Sequence, residues 1–141
     1  MTHRTPSMLV CVYYRVAAGD SQRVISAVRE FQRTLRQSSG AKEAQVLLRC
    51  DLPSQVSPAP LPDDRTASPH DTEPPPGVDA PVDPAADATL METYRLCLPL
   101  AGGAEADATV RDFLARLEAA SAPHAPLLRG ARHVELFAPC A

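Results

Sequence analysis

The 141-residue sequence has no tryptophan and no asparagine, a single lysine (Lys42) against thirteen arginines, and three tyrosines and three phenylalanines as its whole aromatic content. It has no CxxC pair and no zinc-ribbon spacing among Cys11, Cys50, Cys97 and Cys140. Cysteines of that kind inside apolar segments serve as small core residues, and they point to a reducing, cytoplasmic compartment. No P-loop, GxGxxG or nucleophile elbow occurs, so no nucleotide site and no cofactor is expected; Gly102-Gly103 reads as a loop doublet. The apolar run Met8 to Val12 is too short to span a membrane and leads into Tyr13, Tyr14 and Arg15 without a cleavage-like site, so neither a membrane anchor nor a secretory leader is expected. The basic residues are scattered, without a cluster or interleaved aromatics, which argues against a nucleic-acid surface. Arginine and alanine in such excess fit a bacterial, GC-rich coding sequence.

What the chain does have is unevenly distributed. Ten of its fifteen prolines fall between Pro53 and Pro84. Residues 51–87 hold eight acids against Arg65 alone, a local charge of −7, while the remainder carries +4. From 52 to 88 no period of 2 or 3.6 is sustained, and Pro74-Pro75-Pro76-Gly77 suits neither a helix nor a sheet interior. This stretch reads as a disordered acidic insertion, and lengthening a loop roughly sixfold costs only about 1.5 kcal/mol of closure entropy. An acidic segment of this kind is also a possible docking element for a basic protein partner.

On either side of it the chain is regular. Met8 to Val16 is β-rich, with Val10, Val12, Tyr13, Tyr14 and Val16. After Asp20 and Ser21, which offer capping oxygens, Val24, Val28, Phe31 and Leu35 form a helical stripe that ends before Gly40. Glu43 to Cys50 is a short strand with Val46, Leu47 and Leu48. Thr89 to Leu98 alternates Leu90, Glu92, Tyr94 and Leu96 against Met91, Thr93, Arg95 and Cys97. Asp107 is a candidate cap for a second helix carrying Val110, Phe113, Leu114 and Leu117, closed by Pro123-His124-Ala125-Pro126. Arg132 to Phe137 alternates as a fourth strand. The order βαββαβ predicts one ferredoxin-like α+β domain over residues 8–138, with strand order 4-1-3-2, an antiparallel sheet and both helices on one face.

Val12-Tyr13-Tyr14-Arg15-Val16, Leu47-Leu48-Arg49, Met91-Glu92-Thr93-Tyr94 and Arg132-His133-Val134-Glu135-Leu136-Phe137 together resemble a small bacterial domain-of-unknown-function family that looks like a branch of the dimeric α/β-barrel superfamily. The closing RHVExF segment carries most of the likeness, which covers residues 10–50 and 89–138. The resemblance implies a ferredoxin-like fold and a homodimer, and it implies no reaction. Two departures stand out: such relatives usually have a short segment before the third strand, and commonly a tryptophan where Leu90 stands. The superfamily's cofactor-independent and haem-degrading oxygenases lean on asparagine and tryptophan in the pocket, and both are missing here.

If Val10, Val12, Val16, Val46, Leu48, Met91, Thr93, Val134 and Leu136 face the helices, then Tyr13, Arg15, Arg49, Glu92, Tyr94, His133 and Glu135 share the other face. One reading of those seven is structural, with Arg49 paired to Glu92, Arg15 to Glu135, and the tyrosines bridging a dimer. A second is a cavity for a small anionic or aromatic ligand held by Arg15, Arg49, Tyr13 and Tyr94. A third makes His133 the base of an isomerase or other proton-transfer enzyme, oriented by Glu135 or Glu92. His133-x-Glu135 lacks the second histidine that a metal set would need. His3, His70 and His124 are expected in solvent, and Cys140 is expected to be incidental.

Overall fold

β-branched and aromatic side chains at alternate positions of one segment, Val10, Val12, Tyr14 and Val16, fold it as a strand, β1, over Ser7–Ala17. The computed structural model describes residues 5–38, 41–49 and 83–140. The other strands are β2 (Ala41–Leu48), β3 (Asp87–Cys97) and β4 (His133–Phe137), and the helices are α1 (Ser21–Gln37) and α2 (Gly103–Ser121). Short 3₁₀ turns precede α1 at Ala18–Asp20 and follow α2 at Ala122–Leu127. The sheet is antiparallel, in the order β2-β3-β1-β4. This is the ferredoxin-like arrangement expected from the element order. None of the described helices is long and apolar enough to cross a membrane.

Two boundaries move. Asp87 and Ala88, read as the end of the insertion, belong to β3, because Ala17 pairs with Asp87 and Val16 with Ala88. The remainder of that insertion through residue 82, together with Cys50, lies outside the described residues. The second helix starts a full turn before Asp107, where Gly102 and Gly103 at φ 62° and 58° swing the chain into it.

The core is built between one sheet face and the two helices. Val10, Val12, Tyr14 and Val16 of β1, Val24, Ile25, Val28 and Leu35 of α1, Leu90 and Leu96 of β3, and Phe113 and Leu117 of α2 are buried together. Side chains of α1 also tie it to the edge strand β2: Gln32 Nε2 donates to the Gln45 carbonyl at 2.9 Å and Arg36 Nη2 to that of Ala44 at 2.6 Å.

The phase of β3 is a correction to the sequence reading. Val12 pairs with Glu92 and Val10 with Tyr94, so Leu90, Glu92, Tyr94 and Leu96 face the helices while Met91, Thr93, Arg95 and Cys97 face away. A slip of one residue inverts a strand, and the two possible rows differ in what they would bury. The row containing Arg95 would enclose a guanidinium, which instead stays at the surface and pairs with Glu43 at 3.0 Å. The row containing Glu92 brings its own partner, because Tyr94, two positions on, donates a hydrogen bond to it.

Leu96 is fully buried and Leu100 is 77% exposed. Leu96→Ala is therefore expected to lower the unfolding free energy by about 2–5 kcal/mol, and Leu100→Ala to change it by less than about 0.5 kcal/mol. Denaturant titration of the two variants checks this, and equal losses would contradict the core as described.

Candidate functional site

The phase of β3 divides the seven predicted site residues between the two sides of the sheet. Tyr13, Arg15, Arg49, His133 and Glu135 occupy the open face. Glu92 and Tyr94 lie beneath the helices, 2% and 0% exposed. Arg49 and Glu92 thus stand on opposite sides and form no pair.

On the open face, Tyr13 pairs with His133 across β1 and β4, and their rings stack with centroids 5.0 Å apart at 18°. The Tyr13 hydroxyl donates to Glu135 Oε1 at 2.9 Å, and this hydrogen bond, followed by desolvation and the Glu135 charge, raises the phenol's pKa. Glu135 is therefore engaged by tyrosine, where Arg15 or His133 was expected. Among the described residues no hydrogen bond orients the His133 ring. Cys11, opposite Glu135 in the register, has its thiol pKa raised by burial and by that carboxylate, which argues against a reactive thiolate.

One row further along, Arg15 pairs with Thr89 across β1 and β3, and the Arg49 amide donates to the Thr89 carbonyl at 2.9 Å. The two arginines thus flank Thr89. Arg15 lies 3.6 Å from Asp87, whose other oxygen accepts from Arg129 at 2.7 Å; Arg49 has no ion pair among the described residues. Two shallow hollows meet on this row. One of about 310 Å³ is lined by Tyr13, Arg15, Thr89 and His133, and the other, of about 400 Å³, by Tyr13, Leu47, Arg49, Thr89 and Met91.

The buried side holds residues that sequence reasoning missed. Pro123 and Pro126 shape the 3₁₀ turn after α2, and His124 between them points inward, 7% exposed; the expectation that it is solvated is overturned. Backbone bonds fix this segment to the end of β1: Val16 bridges Leu128, and the Arg129 amide donates to the Arg15 carbonyl at 2.7 Å. Gly130, at φ 88°, turns the chain toward β4. Arg132 then precedes β4 on the same parity as Val134, which pairs with Val12, so its guanidinium comes in beside Tyr14. The ring of Tyr14 stands 6.4 Å from that of His124.

Glu92, Tyr94, Tyr14, His124 and Arg132 thus form a polar cluster inside an apolar core. Tyr94 is bonded to Glu92 Oε1, but Glu92 Oε2, the Tyr14 hydroxyl, both His124 nitrogens and two Arg132 nitrogens are buried without a hydrogen-bond partner. The Tyr14 hydroxyl feels the Glu92 charge without meeting hydrogen-bond geometry. Burial and then Glu92 push both phenols far above the usual tyrosine range. The sequence signal was available for Tyr14, which shares parity with the core valines Val10, Val12 and Val16; Arg132 shares parity with Val134, which is itself 43% exposed. Among the described residues no three His, Cys, Asp or Glu side chains gather as a metal-binding group.

No protein-family model and no curated protein matches this chain. Solved structures similar to it in fold include two proteins of unknown function. One is a dimeric ferredoxin-like protein of unknown function from Thermobifida fusca, 13% identical, with a TM-score of 0.52 over 96% of this chain and 93% of that one. The other is a protein of unknown function from Nitrosomonas europaea, 11% identical, with a TM-score of 0.50 over 97% and 92%. At such identities the likeness concerns the fold alone.

Burial holds the His124 imidazole below its ordinary pKa of 6.5, with Glu92 acting upward and Arg132 downward. Above that ordinary value both folded and unfolded chains carry a neutral ring, and stability is complete. As pH falls from there toward the folded value, the unfolded chain gains a proton that the folded chain refuses, and stability drops. Unfolding free energies measured between about pH 7.5 and about pH 5 are expected to decline, and His124→Gln to flatten the decline. Identical slopes in the two proteins would contradict a buried neutral His124.

Proposed function

We propose that this chain is a cytoplasmic homodimeric protein that binds a small anionic ligand on the open sheet face, between Arg15 and Arg49, under the cover of a second copy. The observation that carries the reading is the row Arg15-Thr89-Arg49. Two arginines flank a threonine, Arg15 with Asp87 at 3.6 Å and Arg49 with its charge unopposed among the described residues, beside hollows that meet at Tyr13 and Thr89. Guanidinium groups favour planar carboxylate or phosphate partners because their donors are arranged as a fork. An apolar or aromatic body attached to such an anion would lie on Tyr13, Leu47 and Met91, which line the adjoining hollow.

The second copy is supported by the apolar character of the same face. Leu47 and Phe137 are 42% and 48% exposed there, and an apolar patch around a charged row is the composition of an interface with a buried site. The Thermobifida fusca protein of similar fold is described as dimeric. Free Cys11 and Cys97, which are buried and half-buried in strands, accord with a reducing cytoplasm. His133 serves here as the stacking partner of Tyr13, since Glu135 is hydrogen-bonded to tyrosine.

A thermal-shift screen of aromatic and keto acids is expected to yield at least one stabilising ligand, and Arg49→Ala to abolish the shift; a blank across the screen contradicts the reading. In sedimentation experiments the wild-type chain is expected to run as a dimer and Leu47→Glu as a monomer. A monomeric wild type would remove the cover from the site.

A further inference from the structure

A groove of about 410 Å³ runs between α1 and the 3₁₀ turn that follows α2. Beneath it lies a cavity of about 10 Å³, room for about one water molecule, with Glu92 and His124 in its wall. Ala27, Phe31, Ala120 and His124 line both, so the cavity is the inner end of the groove. Glu92 Oε2 and the two His124 nitrogens have no partner in a place where both residues are more than nine-tenths buried. Leaving a buried donor or acceptor unpaired is costly, and Glu92 Oε2 together with an imidazole nitrogen at one opening marks a site that a guest completes.

We propose that this groove is a second ligand site, on the helix side of the sheet, for a small neutral aromatic molecule whose single hydroxyl lodges between the Glu92 carboxylate and the His124 imidazole. Donor and acceptor arithmetic selects the head group. Tyr94 already occupies Glu92 Oε1, and Oε2 accepts only, so a guest that meets it is a donor. A neutral imidazole presents one N–H and one lone pair, and a guest that accepts as well as donates can meet the N–H. A hydroxyl does both at once. A carboxylate would set a second acceptor against Glu92, and a plain hydrocarbon would meet neither group. Burial favours the neutral form of His124, in keeping with that pairing.

The walls select the body. Ala27 and Ala120 leave a slot beside the ring of Phe31, which itself meets Tyr94 edge-on at 6.3 Å, and Tyr94 meets Phe113 edge-on at 5.2 Å. A flat ring extends this edge-to-face series. The groove volume lies in the range of small-molecule pockets. Because the site takes a neutral guest on the opposite side of the sheet, it stands independently of the anion site at Arg15 and Arg49.

The test is titration of the full chain with 4-methylphenol, toluene and 4-methylbenzoate, read by calorimetry and by the NMR signals of the His124 ring. The phenol is expected to bind and to shift His124, with toluene and the benzoate at least about tenfold weaker, the difference that one unpaired buried group produces. Glu92→Gln, which keeps the side-chain size, is expected to weaken phenol binding about tenfold. If that variant does not fold, the wild-type His124 shifts and the three-ligand ranking carry the test. The proposal is overturned if toluene binds as well as the phenol, if folded Glu92→Gln binds undiminished, or if the phenol shifts Tyr13 and His133 instead of His124.

Discussion

The hydrogen bond from Tyr94 to Glu92 is the interaction on which the rest of the structure turns. A carboxyl group in the interior is tolerable only with partners, and Tyr94, two residues along the same face of β3, supplies one. With that pair inside, Leu90 and Leu96 complete the core row and Arg95 remains in water. The pairing of Val12 with Glu92 and Val10 with Tyr94 then fixes the register of β3 against the central strand. This parity decides which side of the sheet receives Glu92 and Tyr94 and which receives Arg95.

The consequence is a sheet with two different faces of chemistry. The side away from the helices carries a charged row, Arg15-Thr89-Arg49, next to a stacked tyrosine and histidine and an apolar fringe. The helix side has a hydrophobic core with one polar inclusion, and the inclusion lies below a groove between α1 and the turn that follows α2. β1 takes part in both through successive residues: Tyr13 points to the open face and Tyr14 into the cluster. Alternation along a single strand thereby lets one small domain carry an arginine row on one sheet face and a buried polar cluster behind the other.

Much of this was legible in the sequence. The element order and the assignment of Tyr13, Arg15, Arg49, His133 and Glu135 to one face follow from periodicity, and the strand order follows from the usual order of a βαββαβ fold. β3 does not declare its buried parity. Its two rows, Leu-Glu-Tyr-Leu and Met-Thr-Arg-Cys, have similar polarity, and treating Glu92 as an outward charge inverts the strand. Hydropathy cannot register that one charge comes with an internal donor and the other does not. His124 was illegible for a different reason: two flanking prolines mark a turn, and only the attachment of that turn to the end of β1 carries the imidazole inward. Arg132 is hidden similarly, as a charge whose strand parity outranks its solvation preference.

The phase of β3 can be read most directly from the aromatic protons of Tyr94 in nuclear Overhauser spectra. With Glu92 and Tyr94 beneath the helices, Tyr94 shows cross-peaks to the rings of Phe113 and Phe31, whose centroids lie 5.2 and 6.3 Å away. Cross-peaks from Tyr94 to Tyr13 and His133, with none to Phe113, would place β3 in the opposite phase and contradict the account.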